Sequence, residues 1–415
     1  MSVVVRLAPW LGSASMLGAS IALASVVACS SDGAAAPAPA PTHREVANEP
    51  PASTLDAGPP SPNVAYPFKL PAGFPKALVP SANPLTKEKA ELGRYLFYDN
   101  RLSGNGTQSC GSCHLQALAF TDGRAVAVGS TGQSHVRGSM SLVNVVYAST
   151  LTWPNPVVRD LETQARVPLF GLDPIVELGA LGKEEEILGR LRGEPRYQEL
   201  FPAAFPEEAD PFSMTSVERA LASFERMIVS GESRFDRYLY RAELEVLTAE
   251  EKRGYELFQS EQCECFHCHS GFDFTDAVTY ENSPADLKFH NTGLYNLGGT
   301  GAYPSNNRGL IDFTAVPSDM GRFKAPTLRN VEKTAPYMHD GSIATLEEVI
   351  DHYAAGGRTI ASGPNAGVGH DNPFKSGFVV GFTLSPPDKA ALVAFLKTLT
   401  DEALLTNAEL ADPWR

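Results

Sequence analysis

The chain has 415 residues, 43% of them hydrophobic, which is enough for two or three domains with sizeable cores. Its formal net charge of −14 argues against nucleic-acid binding, because that activity needs a basic surface. The acidic residues are spread along the chain and favour solubility rather than a particular partner.

Residues 1–29 have the form of a bacterial lipoprotein signal peptide. Arg6 supplies positive charge, and an apolar stretch from Met16 to Val27 is too short for a convincing transmembrane helix. The stretch ends in VVAC at residues 26–29, which resembles a lipobox and predicts lipidation of Cys29. The alternative is an ordinary secretory signal in which Cys29 is incidental. We expect a periplasmic or outer-membrane protein that meets the membrane only through its lipid anchor.

Residues 30–66 are rich in alanine, proline and serine. GAAAPAPAPT and AGPPSP predict an extended, disordered tether rather than a packed element. Such a tether would hold the folded part of the chain away from the membrane.

Two short strings indicate redox chemistry. Residues 110–114 read CGSCH and residues 265–269 read CFHCH, and both have the C-x-x-C-H pattern of covalent c-type haem attachment. About 0.002 such strings are expected by chance from six cysteines and nine histidines. A Cys₄ zinc site or a thioredoxin-like pair would leave the histidine after each pair unexplained. We predict two covalent haem c groups, with attachment and proximal residues Cys110, Cys113, His114, Cys265, Cys268 and His269.

The surroundings of the two strings repeat each other. GRYLF at residues 93–97 precedes the first string and GYELF at 254–258 precedes the second, while FTD follows each one, at 120–122 and 274–276. This repeat predicts one cytochrome c-like unit used twice, with a boundary near residues 237–247. We therefore expect a mainly α protein of two packed haem domains with long loops, over residues 67–240 and 241–415. The remaining cysteine, Cys263, is predicted to be a surface or semi-buried thiol without a role.

Capping residues and the spacing of apolar residues predict three helices. Thr248 and Glu251 form a capping box before the second haem string. An amphipathic helix is predicted over Val217–Val229. Near the C-terminus, Ser385 caps two prolines that begin a helix with one apolar face, formed by Leu392, Phe395, Leu396 and Leu399.

A further capping box at residues 345–348 predicts a helix that starts near Leu346. Helical spacing places Tyr353 on its inward face and turns His352 about 100° away. Spacing alone favours a core tyrosine with a satisfied hydroxyl over a ligand. The inward face comprises Leu346, Val349, Ile350 and Tyr353.

The stretch MGRFKAPTLRNVEKTAPYMHDGSIATLEEVIDHY, residues 320–353, resembles the second-haem domain of the bacterial di-haem cytochrome c peroxidase and MauG family. The resemblance covers roughly residues 75–400. In that family the distal ligand of the second haem lies fourteen positions after the histidine of HDG, which here is Tyr353. Peroxidases that take electrons from small cytochromes usually have methionine there, and MauG-type enzymes have tyrosine. Met338 and His339 are competing candidates that the family pattern disfavours.

The ligand type matters for the chemistry. Thioether ligation favours ferrous iron and raises its potential, whereas a phenolate stabilises ferric and ferryl iron. A haem held by histidine and tyrosine therefore suits the storage of an oxidising equivalent.

LTWPNPVVRDLETQARVPLFGLDPIVELG, residues 151–179, resembles the family's first-haem site, where peroxide reacts. Gln164 and Glu177 match the distal polar pair, and Pro168 matches the distal wall. A carboxylate there would move a proton from the near to the far oxygen of peroxide. For Glu177 alone, a solvated surface carboxylate is the alternative.

Further roles are implied by the resemblance alone. Trp153 matches a tryptophan that lies between the haems and relays oxidising holes, although simple packing is the alternative. His135 lies near a loop histidine that closes the first haem in some peroxidases, but Tyr353 favours an open site and His135 is left unassigned. A calcium ion between the domains would take oxygen ligands from Asn144, Thr334 and Pro336.

The resemblance implies a peroxidase-type oxidoreductase. In the first hypothesis, a MauG-like enzyme uses hydrogen peroxide to form a high-valent di-haem state that oxidises side chains, above all tryptophan, of a partner protein. LTWPNP and LETQARVPLFG are most similar to the subgroup associated with methanobactin gene clusters, whose partners are small secreted copper-binding proteins. The alternatives are a cytochrome c peroxidase that receives electrons from a small cytochrome or copper protein, and a non-enzymatic electron-transfer cytochrome.

Overall fold

A computed structural model describes residues 66, 68–283 and 286–415, all within one compact unit. The signal peptide, Cys29 and the tether up to residue 65 lie outside the described residues. This described part contains twelve α-helices and one pair of two-residue antiparallel strands, which confirms the mainly α fold. None of its helices combines the length and the apolar character that a membrane crossing requires.

The helices are α1 Lys87–Phe97, α2 Cys110–Cys113, α3 Leu161–Phe170, α4 Glu184–Arg192, α5 Pro195–Ala204, α6 Met214–Glu225, α7 Arg234–Tyr240, α8 Ala249–Phe258, α9 Ile311–Thr314, α10 Leu346–Ala354, α11 Pro386–Lys397 and α12 Glu402–Leu405. The strands are β1 Thr359–Ile360 and β2 Gly367–Val368. Short 3₁₀ turns connect them at Asn100–Leu102, Gln116–Leu118, Val145–Tyr147, Cys265–His267, Pro317–Asp319, Val331–Lys333 and Gly369–Asp371.

The capping residues start the helices where the sequence predicts. The side chains of Thr248, Thr345 and Ser385 each accept a hydrogen bond from a backbone N–H in the first turn of α8, α10 and α11. The prediction for α6 is wrong at both ends, because the helix runs from Met214 to Glu225. The chain leaves the helix after Glu225, and the Ile228 carbonyl then accepts a hydrogen bond from the backbone of Asn144.

The two halves repeat one helix crossing. In the first half α1 packs on α6, and in the second half α8 packs on α11. Gly93 lies directly against the carbonyl oxygen of Ala220, and Gly254 lies in the same way against that of Ala391. A Cβ atom at either glycine would overlap that oxygen, so both crossings need glycine for the close approach. The GRYLF and GYELF motifs are thus the sequence trace of a structural repeat.

Each half has its own hydrophobic core. The first is built mainly on α1 and α3–α6, and the second on α7, α8, α10 and α11. The tail that follows α11 packs on the first core through Leu404, Leu405 and Leu410. The predicted boundaries, 67–240 and 241–415, stay predictions.

Candidate haem sites and the cavity between the halves

Both proximal histidines are positioned by short local segments. Cys110–Cys113 forms the short helix α2, and Cys265–His267 forms a 3₁₀ turn, so each histidine follows directly on a turn of helix. His114 Nδ1 donates to the carbonyl oxygen of Phe120 at 2.7 Å, and His269 Nδ1 donates to that of Phe274 at 3.0 Å. A ligating histidine commonly makes this bond, which leaves Nε2 for the metal.

Burial lowers the pKa of both imidazoles, so each is neutral and able to ligate. The phenylalanine whose carbonyl accepts the bond is the first residue of the repeated FTD motif. The two cysteines and the histidine of each string therefore fit haem c. The repeated FTD motif supplies the carbonyl that orients the proximal histidine in each half.

A cavity of about 270 Å³ lies beside the second haem string. Cys265, Cys268 and His269 line it, and so does the inward face of α10 that the spacing predicts, which ends at Tyr353. Burial is the main cause that raises the pKa of Tyr353, and both cysteines lie close enough for a charge on either one to raise it further. The structure therefore brings the predicted proximal and distal ligands of the second haem to one cavity.

The competing candidates, Met338 and His339, line the same cavity. The His339 ring is stacked on Phe323, with ring centroids 3.7 Å apart and an angle of 12° between the planes. Burial lowers the pKa of His339 to about 4, and its Nε2 has no hydrogen-bond partner within the described residues. Lining does not separate the three candidates, so the choice of Tyr353 stays a prediction.

His352 is buried although it lies off the inward face of α10. Its side chain is nearly inaccessible to solvent, and its ring centroid is 5.1 Å from that of Tyr353. Burial lowers the pKa of His352 to about 4. The groups that act on its imidazole lie outside the helix: the backbone of Thr292 and the charges of Arg358 and Lys375. Helical spacing predicts only the inward face of α10 and does not reveal that the side bearing His352 is also buried.

The first-haem candidates also lie together. Gln164 and Pro168 are one turn apart on α3, and the Leu178 N–H donates to the Pro168 carbonyl at 2.9 Å. This bond ties the segment that carries Glu177 to the helix. The Glu177 charge acts on the thiols of both attachment cysteines of the first haem, and burial raises the Glu177 pKa.

Trp153 contacts both halves. Its indole Nε1 donates to the Gly138 carbonyl at 3.2 Å, while its own carbonyl accepts from the Lys324 N–H at 2.9 Å. The indole lines the second-haem cavity, with its ring centroid 6.4 Å from that of His339. Trp153 thus lies between the two halves, and its role between the haems stays a prediction.

The proposed calcium ligands, Asn144, Thr334 and Pro336, all line this cavity. The Asn144 amide is already engaged, because its oxygen accepts from the Ser230 N–H at 2.8 Å and its nitrogen donates to Asp273 at 2.7 Å. The calcium site stays a prediction.

Two charged residues of the cavity escape sequence reasoning. Burial alone would lower the pKa of His290, but Asp276 at 2.8 Å and Cys268 raise it to about 10. When Cys268 is bound to haem as a thioether it carries no charge, and only Asp276 then raises the His290 pKa. Lys324 donates through Nζ to the Thr150 carbonyl at 2.7 Å, and burial lowers its pKa to about 8. The one related feature of the sequence is Asp276, the aspartate of the second FTD motif, which is the hydrogen-bond partner of His290.

Cys263 and His135, to which the sequence assigns no role, differ in their position relative to the second-haem cavity. Cys263 is only 4% exposed and lines the second-haem cavity, so it is more buried than predicted. The His135 Nδ1 accepts a hydrogen bond from the Arg137 N–H at 2.8 Å and is outside that cavity lining.

Comparison with known proteins agrees with this geometry. Residues 87–243 match a family model described as di-haem cytochrome c peroxidase. The methylamine utilization protein MauG of Methylorubrum extorquens is 35% identical over 344 residues, which cover 83% of this chain and 86% of MauG. The cytochrome-c peroxidase IdrP1 of Denitromonas iodatirespirans is also 35% identical over 344 residues, which cover 79% of this chain and 85% of IdrP1.

The chain belongs to the di-haem cytochrome c peroxidase and MauG family. It is therefore a haem oxidoreductase, and family membership implies two haem c groups. A crystal structure of a MauG-like protein associated with microbial copper homeostasis is 50% identical to it, with a TM-score of 0.82. That match covers 85% of this chain and all of the solved one, and it confirms the fold.

Proposed function

We propose that this protein is a MauG-like enzyme that uses hydrogen peroxide to oxidise side chains, above all tryptophan, of a small secreted partner protein. The observation that supports this most is Tyr353, which lines the second-haem cavity together with His269. Haem c supplies the iron that reacts with peroxide and holds its oxidising equivalents. Tyrosine at this position favours oxidised iron, whereas methionine would favour reduced iron.

At the first haem, Glu177 acts as the general base. Its raised pKa makes it a better proton acceptor than an exposed glutamate, and it accepts the proton of one peroxide oxygen and returns it to the other. Gln164 and Pro168, on the facing turn of α3, orient the peroxide and limit the space around it. Delivery of the proton to the far oxygen would let that oxygen leave as water, with haem c supplying the two electrons that this cleavage requires.

Oxidation of the partner takes place at a distance. Trp153 connects the halves and carries oxidising equivalents between the two haem sites, so the partner does not enter the peroxide site. This role uses two hydrogen bonds: the bond to the Gly138 carbonyl holds the indole at the cavity wall, and the bond from the Lys324 N–H holds the Trp153 backbone.

The solved MauG-like relative supports a partner of one chemical class, because that relative is associated with microbial copper homeostasis. We propose a small secreted copper-binding protein as the substrate. The enzyme would work in the periplasm or at the outer membrane, anchored through lipidated Cys29, with calcium at Asn144, Thr334 and Pro336.

The second candidate function is that of a cytochrome c peroxidase, which the similarity to IdrP1 favours. In that case electrons from a small cytochrome or copper protein would reduce peroxide to water. A pure electron-transfer cytochrome would need neither Glu177 nor an open haem.

The proposal is tested by incubating the haem-loaded protein with peroxide and the small secreted protein encoded beside its gene. We expect a peroxide-dependent mass increase on a tryptophan-containing peptide of that partner, and loss of this product in Tyr353→Met. Tyr337→Phe is the matched control, since Tyr337 lines the same cavity and its hydroxyl donates to the Val331 carbonyl. Rapid peroxide consumption with a reduced cytochrome, and an unmodified partner, would favour the peroxidase instead.

A further inference from the structure

The repeated helix crossing gives a residue-by-residue correspondence between the two haem sites. Ala220 of α6 corresponds to Ala391 of α11, because each carbonyl lies against the crossing glycine. Counting along both helices, Glu225 then corresponds to Leu396. The two halves therefore differ at this position, with a carboxylic acid in one and an aliphatic side chain in the other.

Leu396 lines the second-haem cavity together with Cys265 and His269. The correspondence places Glu225 in the equivalent position against the first haem. A second observation agrees: among charged side chains, Glu225 acts most strongly on the thiol of Cys110, a haem-attachment residue.

The Glu225 carboxyl group is buried, and one of its oxygens is unpaired. The residue is 5% exposed, and its Oε2 has no hydrogen-bond partner within the described residues. Burial raises the Glu225 pKa to about 8. A buried acid without a partner is costly, and such a group in a native protein calls for a functional explanation.

The neighbouring charges do not cancel that of Glu225. Arg226 lowers its pKa, but the Arg226 guanidinium donates to Glu162 at 2.8 Å and shares its charge there. Two cations of the packed helix α1 are directed elsewhere: the Lys89 ammonium donates to Asn83, and the Arg94 guanidinium donates to carbonyls of the C-terminal tail.

We propose that Glu225 is a haem-site residue that sets the reduction potential of the first haem. A carboxylate close to the iron favours the more positive ferric state over the ferrous state, and Leu396 exerts no such bias on the second haem. At a pH above the Glu225 pKa, the first haem would thus stay oxidised and ready for peroxide without prior reduction. That last consequence rests on the proposed function, whereas the effect on the potential does not.

The test is a redox titration of the haem-loaded protein, followed by EPR and absorption, at about pH 9.5, where a group with the Glu225 pKa of about 8 is ionised. In Glu225→Gln the potential of the first haem should rise while that of the second stays unchanged. Glu218→Gln is the matched control, because Glu218 is also buried on α6 but is paired with Arg166 at 2.7 Å. That variant should leave both potentials at their wild-type values.

The reciprocal variant, Leu396→Glu, should lower the potential of the second haem. An unchanged first-haem potential in Glu225→Gln, or an equal shift of both haems, overturns the proposal. If Glu225→Gln does not assemble its haems, Leu396→Glu decides, and an unchanged second-haem potential overturns the proposal. A wild type that needs prior reduction before it reacts with peroxide would contradict the proposed function and leave the measured potentials to decide on Glu225.

Discussion

The proximal half of each haem site is built from a few consecutive residues. The imidazole donates to a backbone carbonyl six residues away in the first site and five residues away in the second. The proposed distal residues come from distant segments, since Tyr353 lies on α10 and Glu177 in the loop that hydrogen-bonds to α3. Variants on the proximal side should therefore lose haem attachment, whereas variants on the distal side should lose reactivity with peroxide.

Cysteine variants test the proximal half. Cys113→Ser and Cys268→Ser should each impair covalent attachment at one site only, because each removes a single thioether. Intact-mass spectrometry and a haem stain after denaturation measure the covalent haem. Cys263→Ser is the control and should keep both groups, although Cys263 is buried beside the second site. Wild-type protein without covalent haem would end this account of both sites.

Glu177→Gln tests the distal half. The variant should slow the reaction with peroxide by about 10²–10⁴-fold, as expected for loss of a general base. In the wild type, the rate should fall on acidification through a pKa above about 4.3, the ordinary value for glutamate, because burial raises the Glu177 pKa. Stopped-flow mixing measures both effects, with the exposed Glu185→Gln as control. A rate within a few-fold of wild type would remove Glu177 from the mechanism.

Residues fixed by local sequence were predictable, and those fixed by tertiary contacts were not. The C-x-x-C-H strings predicted the attachment and proximal residues from the chemistry of the motif. Tyr353 could be placed on a buried face, but the prediction that it is a haem ligand needed the family resemblance. His290 and Lys324 carry no spacing signal, because their partners come from other segments. Glu225 emerges only when the two helix crossings are compared.

Among the elements, the two glycine crossings are the most demanding. Gly93→Ala and Gly254→Ala would each drive a methyl group into a backbone carbonyl, which cannot rotate away as a side chain could. We expect each variant to be destabilised by about 3 kcal/mol or more, at the upper end of overpacking effects.

Chemical denaturation of the haem-loaded protein measures this loss. Gly189→Ala is the matched control, because Gly189 lies within α4 with nothing near its Cβ position. That variant should be more stable by about 0.5–1 kcal/mol, since alanine is the better helix former. Equal stability of Gly93→Ala and wild type would show that the helices can separate without cost.

Helix starts were more predictable than helix ends. A capping box is a bond between residues close in sequence, and all three predicted boxes or caps begin helices at the expected residue. The end of α6 depends on the remote backbone of Asn144. The surroundings of His352 come from residues outside α10. The periodicity of apolar residues within a helix predicts neither where α6 ends nor that His352 is buried.

For the whole molecule, the arrangement of the two halves creates the site. The cavity next to Tyr353 is lined by both halves, and Trp153 is bonded to each of them. The repeat predicted two similar units, but it held no information on their contact, because the contacting residues are not part of the repeated motifs. The packing of the C-terminal tail on the first core was missed for the same reason.

Attachment to the membrane is also a property of the whole chain. We predict that Cys29→Ser releases the protein from the membrane fraction, because the lipid would be the only anchor. Fractionation followed by a haem stain measures the distribution, and Cys263→Ser should remain membrane-bound. Unchanged membrane association of Cys29→Ser would contradict the lipoprotein prediction.

The central claim is that Tyr353 allows the oxidised enzyme to store the oxidising equivalents of peroxide, and EPR together with Mössbauer spectroscopy tests it most directly. The resting ferric protein should contain one high-spin haem and one low-spin haem with histidine and tyrosine ligands. Peroxide, without prior reduction, should give a long-lived state in which both haems are oxidised beyond ferric. Tyr353→Met should keep both haems and lose that state. If the variant still forms it, or if the wild type reacts only after reduction, the account is contradicted and the cytochrome c peroxidase function takes its place.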